Sequence, residues 1–365
     1  MDDKIDVVIV RWDLADDYNR HTATTMASVI ENCSKPVVFH ILHEEKNSFV
    51  NREKAEENIK KYHELIKNKE AEVLFHNVIL PEWVNGENIH ILKEGALPIG
   101  LYRLFLTEIL PNVDRVVSLG SDMIVKTDLA NFISLLPDSY CLAGCNDVGM
   151  DFFIKHPNNN LSKYYMSMGV DINSYVNADV LIFNLKKIRE KYSLPCAAKN
   201  YFYKHPEAAL LEQDALNVIF KNDIFILDSR YNLAAGYGRT EKGVEHVNKL
   251  NSTENDIGYI IHYVGYGKPW NEYLSELDLE YWHYLAKTPW ANDGEIVDFM
   301  WHVLRTTYEQ MLNPEKLLNK YPIKRKIQIL WSMSFPLYWK EVITYTKYIK
   351  WIMSLKKENK EKTLQ

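Results

Sequence analysis

Cysteine is scarce: Cys33, Cys141, Cys145 and Cys196 are the only four in 365 residues. That pattern supports neither a disulfide framework nor a metal site with spaced histidines, so all four are expected as buried thiols. No uninterrupted apolar run is long enough to span a bilayer. No apolar stretch follows a basic one at the amino terminus, which argues against a secretory signal and for a cytoplasmic protein. Glycine is missing where phosphate-binding folds need it: the turn after the first strand pattern reads R-W-D-L-A-D-D-Y, Arg11 to Tyr18, without G-x-G-x-x-G or a Walker loop. This excludes a nicotinamide-dependent oxidoreductase built on the dinucleotide fingerprint. It also leaves no glycine-loop amides to cradle a phosphate, so another cation must do that work.

The length suits one large α/β domain with an appendage, or two domains, and allows a sizeable core. The 23 tyrosines and 9 tryptophans are generous; aromatics at this density line sugar sites or interfaces, although most are expected in the core. The formal net charge of −6 hides an asymmetry. From Asn313 onward there are 12 Lys and Arg against 4 Glu, a net of +8, leaving 31 basic and 45 acidic residues before it, a net of −14. So acidic a body repels a long polyanion, which excludes nucleic acid as a partner.

Apolar runs at Ile5–Val10, Val37–Leu42 and Glu72–Val78 predict strands, and the periodicity between them predicts helices over Asn19–Asn32 and Lys46–Lys69. Alternating strands and helices argue a mostly parallel sheet covered on both faces. The organising stretch is Leu97 to Leu129: a short helix over Leu101–Leu110, a break at Pro111 and Asn112, a buried strand over Arg115–Leu119, and then the lone carboxylate of Asp122. Ligands of open α/β sheets bind outside the carboxyl ends of the strands, so Asp122 is either a holder of metal or sugar hydroxyl or a plain turn residue. Asp13, Asp16, Asp17 and Tyr18 offer carboxylates and a ring to a base and ribose, or form a solvated acidic loop. Further strands are expected at Tyr140–Asp147, Tyr175–Phe183, Ile224–Leu227 and Ile257–His262, with helices at Leu185–Lys191 and Leu210–Phe220. Met150 to Asn173, rich in Asn and Tyr, reads as loop. The Leu210–Phe220 helix keeps Gln213, Asp214 and Asn217 near one another. The turn H-Y-V-G-Y-G-K-P-W sets His262, Gly265 and Lys268 where a diphosphate can be reached without side-chain obstruction, or else holds a structural histidine.

Taken in order, Asp122, the Asn177 strand, the Gln213 helix and the His262 turn resemble the family 8 glycosyltransferases, retaining enzymes with the Rossmann-like α/β GT-A fold of nucleotide-diphospho-sugar transferases. The resemblance runs from about Ile5 to Trp270. H-x-x-G-x-x-K-P-W is its most specific piece; N-A-D-V-L-I-F-N-L is similar to the family's N-A-G-x-x-x-x-N-L, and E-Q-D-A-L-N to its D-Q-D-x-L-N. The resemblance implies a UDP-sugar donor, UDP-glucose or UDP-galactose, with Mn²⁺ or Mg²⁺, and a saccharide or glycolipid acceptor of the kind used in lipopolysaccharide or capsule assembly. By the same resemblance Asp122 and His262 would ligate the metal and Lys268 would contact the diphosphate. Arg103 would support the acidic motif and touch the donor. Asn177, Gln213 and Asp214 would surround the sugar, with Gln213 on the face where retaining chemistry takes place, and Asp147 would lie toward the acceptor.

One departure stands out. The family's metal-binding D-x-D reads Gly120-Ser121-Asp122 here, and losing a hard oxygen ligand weakens a site that normally wants six. The chain is then an active enzyme with a looser metal site, an enzyme in which a neighbouring carboxylate substitutes, or a non-catalytic nucleotide-sugar-binding subunit. The intact His262, Lys268, Gln213 and Asp214 favour an active enzyme. Asp179 in place of the family's Gly and Glu212 in place of its Asp bear on donor choice.

Residues 1–275 are thus expected as the catalytic domain and 276–365 as a helical, basic, aromatic-rich extension, with a helix over Glu295–Met311. Trp331, Phe335, Trp339, Tyr348 and Trp351 interleave with Lys340, Lys347, Lys350 and Lys356, a composition that suits an anionic membrane surface or a helical cap with a solvated lysine face. On the membrane reading, truncation after Pro314 is expected to release the protein from anionic vesicles in a flotation assay while UDP binding persists; unchanged vesicle binding contradicts it.

Overall fold

Runs of Val, Ile and Leu bounded by polar turns form the strands, because a sheet covered on both faces needs apolar side chains on both sides. The computed structural model describes residues 4–150, 160–235, 259–265, 267–271, 277–292, 294–296 and 299. Among these the strands are β1 (Ile5–Val10), β2 (Val37–His43), β3 (Ala71–Asn77), β4 (Arg115–Leu119), β5 (Met123–Val125), β6 (Leu142–Asn146), β7 (Val176–Asn184), β8 (Ile224–Ile226), β9 (Leu233–Ala234) and β10 (Ile260–His262). The helices are α1 (Asn19–Asn32), α2 (Arg52–Ile66), α3 (Leu106–Ile109), α4 (Leu129–Ile133), α5 (Asn160–Ser167), α6 (Leu185–Lys191), α7 (Leu194–Lys204), α8 (Leu211–Ile219) and α9 (Leu277–Leu285).

Seven strands form the main sheet in the order β3-β2-β1-β4-β7-β6-β8. Every pairing is parallel except those of β7, which runs against both β4 and β6. A core of Val8, Val116, Leu181 and Phe183 from this sheet with Leu101, Leu104, Ile188, Phe202 and Leu216 closes one face. A smaller sheet, β5-β10-β9, carries the return of the chain after Asp122.

The outer edge of β5 is completed by α1 through side chains rather than by another strand. Ser28 Oγ accepts from the Val125 N–H at 2.9 Å, Thr25 Oγ1 donates to the Met123 carbonyl at 2.9 Å, and Asn32 Nδ2 donates to the Val125 carbonyl at 3.0 Å. These three residues share one helix face, and they satisfy backbone groups that would otherwise be buried unpaired. Helix α9 packs on α1 as well, with Tyr284 Oη accepting from Asn32 Nδ2 at 2.9 Å. The first compact unit accordingly runs to Pro289, past the boundary expected at 275.

Several expectations are revised. The charged segment after β2 is two elements: a 3₁₀ helix, Glu45–Asn51, and then α2, because Asn51 Oδ1 accepts from the Lys54 N–H and caps a new helix there. Leu101–Leu110 is mostly 3₁₀, over Pro98–Phe105, and only its end is α-helical. The segment read as loop contains α5, α7 lies where no helix was expected, and α9 falls at the start of the extension expected to be helical. Residues 257 and 258 of the last predicted strand, and the tail from 301 onward, lie outside the described residues. Among the described residues no helix is long and apolar enough to cross a membrane. Ser28→Ala is expected to lower unfolding stability by about 1–3 kcal/mol, the usual penalty for orphaning a buried N–H, as measured by urea denaturation.

Candidate active site

The register of three strands brings the site residues together. Strand β7 is antiparallel, so its first residues lie at the carboxyl ends of parallel β1 and β4: Leu119 pairs with Val180, and the Gly120 N–H donates to the Asp179 carbonyl at 2.8 Å. Asn177, Ala178 and Asp179 therefore face the loop that carries Asp122. Strand β10 runs against β5 with His262 opposite Met123, and the Tyr263 N–H donates to the Asp122 carbonyl at 3.0 Å. Helix α8 adds Gln213 from beside β7.

A continuous hydrogen-bond relay orders these groups. The Gln213 Oε1 accepts from the Ala178 N–H at 2.9 Å, so its amide nitrogen turns to Asp147 Oδ2, at 2.9 Å. The Asp179 N–H donates to Asn177 Oδ1 at 3.0 Å, so Asn177 Nδ2 donates to the same Asp147 oxygen, at 3.1 Å. Asn177 Oδ1 also accepts from Asn232 Nδ2 at 3.0 Å, which turns Asn232 Oδ1 toward His262 Nδ1, 2.8 Å away. An amide oxygen only accepts, so Nδ1 carries the hydrogen. In the neutral ring the Nε2 lone pair then points outward, where Asp122 Oδ1 and Asp179 Oδ2 both lie at 3.6 Å, beyond hydrogen-bond reach. His262 is only 2% exposed. Among the described residues, no group of three or more His, Cys, Asp or Glu side chains is placed closely enough to hold a metal ion as it stands.

Charge around the relay is arranged in pairs. Lys268 Nζ donates to Asp122 Oδ2 at 2.5 Å and to the Tyr263 carbonyl at 2.5 Å. Burial alone would raise the Asp122 pKa, but His262 and Lys268 outweigh it and hold the carboxyl below its ordinary range. Arg103, buried beneath the site, donates to Ser118 Oγ (3.0 Å), Glu212 Oε1 (2.7 Å) and Asp179 Oδ1 (3.2 Å). Burial pushes the Glu212 carboxyl up despite Arg103. The longer Glu212 side chain fits because Gly100 lies against it: a Cβ at position 100 would come within 2.0 Å of its carboxylate.

Two expected placements are corrected. Asp214 does not face the site. It is fully buried, accepts from Tyr175 Oη at 2.5 Å and from the Leu210 N–H at 2.9 Å, and so anchors the start of α8, where Leu211 takes φ +45°. Burial raises its pKa, and the Tyr175 hydrogen bond only partly offsets that. In the loop after β1, Asp16 Oδ1 pairs with Arg11 and accepts from the Tyr18 N–H, while Asp13 Oδ1 accepts from Ser48 Oγ and the Ala15 N–H. Those oxygens shape the loop itself. Tyr18 remains at the site's edge, where an aromatic group forms: His21 stacks on Trp270 with centroids 3.6 Å apart, and Tyr18 meets Trp270 edge-on. Gly265 follows β10 in the left-handed region, at φ +79°.

Sequence reasoning missed Asn232 and the His21–Trp270 stack. Asn232 carries no motif; its only signal is a polar residue directly before a short strand, β9, that pairs with β10. A cavity of about 760 Å³ lined by Asp6, Asp114, Arg115 and Lys186 lies at the amino ends of β1 and β4, the end of the sheet opposite to ligand binding in such folds.

Fold and site together define a glycosyltransferase of the GT-A class. The chain belongs to glycosyl transferase family 8, whose model matches residues 9–273. It is 24% identical over 326 residues to the lipopolysaccharide 1,2-glucosyltransferase of Escherichia coli, covering 85% of this chain and 87% of the relative. To the glycosyltransferase GlyE of Streptococcus pneumoniae serotype 4 it is 28% identical over 189 residues, 49% of this chain and 38% of that one. Among solved structures its fold is similar to the galactosyltransferase LgtC, with TM-score 0.59 and 19% identity over 80% of this chain and 98% of that one. It is also similar to the bifunctional glycosyltransferase WbbM, with TM-score 0.61 and 20% identity over 82% of this chain, which spans about half of the WbbM chain (52%).

Burial, reinforced by Arg20 and Arg11, pushes the His21 imidazole down from 6.5 to about 3. The unfolded chain takes up this proton first, so the stabilisation from a neutral His21 is full above about pH 6.5 and is lost as pH falls toward about 3. Lowering pH from about 7 to about 5 should therefore remove about 2 kcal/mol on account of His21. His76, lowered to about 4 by burial and His40, acts with the same sign. Urea denaturation of His21→Gln at both pH values should show a correspondingly shallower loss than the wild type.

Proposed function

We propose that this chain transfers a glucosyl or galactosyl residue from UDP-glucose or UDP-galactose to a saccharide or glycolipid acceptor of the lipopolysaccharide type, with retention at the anomeric carbon. The observation that carries the reading is the His262 imidazole, tautomer-fixed by Asn232, with Nε2 facing Asp122 and Asp179 beside the Lys268 ammonium. One imidazole nitrogen with hard carboxylate oxygens is a donor set that suits Mn²⁺ or Mg²⁺. His262 and Asp122 would hold the ion, and the bound metal would act as a Lewis acid toward the diphosphate.

The chain's own residues do the rest. Breaking the bond between anomeric carbon and phosphate leaves the electron pair on the diphosphate, and the Lys268 ammonium is positioned to stabilise that charge. Gln213, held by Ala178 and Asp147, and Asn177 present a fixed polar surface to the sugar, while Asp147 lies toward the acceptor hydroxyl, whose oxygen forms the new bond to the anomeric carbon and whose proton passes to the departing diphosphate. Arg103 acts as a positioning residue, holding Asp179 and Glu212, and Asp214 positions α8. Tyr18, held edge-on against Trp270 at the margin of the site, would lie against the base. A fixed constellation of this kind lowers the barrier because it needs no reorganisation at the moment of reaction. The acceptor class is supported by the E. coli relative, and the basic tail supports peripheral attachment to the cytoplasmic face of an anionic membrane. The compact unit that ends at Pro289 carries the transferase and the basic tail the attachment. Membership of an enzyme family weighs against a purely binding subunit.

Purified protein is expected to release UDP slowly from UDP-glucose or UDP-galactose with Mn²⁺ and not with chelator, and His262→Ala should lower the rate by about 100-fold or more. Donor binding without release, even with saccharide acceptors supplied, contradicts the proposal.

A further inference from the structure

We propose that Asp179 supplies the carboxylate that position 120 lacks, so that His262, Asp122 and Asp179 are the three protein ligands of the divalent cation; this rests on the metal-assisted reading above. Gly120 and Asp179 are neighbours across the β4–β7 pair, joined by the 2.8 Å bond from the Gly120 N–H to the Asp179 carbonyl. A Cβ built on Gly120 would lie 3.0 Å from Met123 Cε, 3.1 Å from Asp122 Oδ1 and 3.4 Å from Asp179 Cβ. A side chain starting at position 120 and the carboxylate starting at position 179 thus enter the same space, and this chain fills it from position 179.

The Asp179 carboxylate is set up as a ligand. Its Oδ1 is held by Arg103 Nη2 at 3.2 Å, and its Oδ2 lies 3.6 Å from His262 Nε2, the same distance as Asp122 Oδ1. Arg103 is fixed in turn by Ser118 and Glu212, the outer support that ligating carboxylates commonly have. Asp122 Oδ1 and Asp179 Oδ2 thus approach one imidazole nitrogen from two residues, an arrangement that a shared cation would join. Adjacent ligand atoms of an octahedral ion with bonds of roughly 2.1 Å are about 3.0 Å apart, so both carboxylates would close on His262 Nε2 by about 0.6 Å around a bound ion. The Asp179 side chain is 39% exposed, against 14% for Asp122 and 2% for His262, so the group completes the site from its solvent side. The glycine at 120 and the aspartate at 179 are on this reading one compensated exchange.

Mn²⁺ binding to the full chain in the presence of UDP, read from the electron paramagnetic resonance of free Mn²⁺, separates the alternatives. Asp179→Asn is expected to weaken Mn²⁺ binding by about tenfold or more. Gly120→Asp alone should give no gain, because its carboxylate competes with Asp179 for one space. The double exchange Gly120→Asp with Asp179→Gly should recover binding to within about threefold of the wild type. Unchanged Mn²⁺ affinity in Asp179→Asn, or tightening by Gly120→Asp with Asp179 in place, overturns the relocation and leaves the metal reading standing. A wild-type chain that binds UDP but takes up no Mn²⁺ overturns both.

Discussion

The site depends on one hydrogen-bond chain in which each link fixes the direction of the next. Backbone N–H groups of Ala178 and Asp179 set the amides of Gln213 and Asn177, Asp147 receives both amide nitrogens, Asn177 sets Asn232, and Asn232 sets His262. The chain begins at the backbone of β7, so the orientation of a buried imidazole is inherited from the main sheet. Amide and imidazole side chains otherwise flip at little cost, and a functional ring that can flip is not preorganised.

That inheritance follows from a single topological choice. Strand β7 runs against its neighbours, so its polar beginning, Asn177 to Asp179, arrives at the carboxyl ends of the parallel strands, where Asp122 and Arg103 wait. The concentrated charge there is tolerable because it is paired: Lys268 on Asp122, and Arg103 between Glu212 and Asp179. Removing one partner of such a buried pair leaves an uncompensated charge, and this makes the cluster rigid as well as reactive.

The strands and the main site residues were legible because buried strands are nearly pure Val, Ile and Leu and because the polar residues interrupting them cluster at strand ends. Asp122, His262, Gln213, Asn177 and Lys268 were singled out that way, the family resemblance ordered them, and the fold brings them to one end of the main sheet. The remainder depends on three-dimensional closure. The 3₁₀ stretch over Pro98–Phe105 has apolar spacing that reads equally as an α-helix, so the periodicity does not separate the two. Asp214 sits one residue from Gln213, yet the helical turn sends it into the core toward Tyr175. Asp13 and Asp16 look available in the sequence, but their loop folds back through Arg11 and Ser48. Asn232 offers only its place before a short strand, because its partners are 30 and 55 residues away.

The most direct test of the relay is the protonation pattern of the His262 ring. Nitrogen-15 NMR of histidine-labelled protein, recorded where imidazoles are neutral and assigned by comparison with His262→Gln, reports which ring nitrogen carries the hydrogen. The account predicts a protonated Nδ1 and a bare Nε2 in the wild type, with that preference lost in Asn232→Leu. A ring protonated at Nε2, or one indifferent to Asn232, contradicts it.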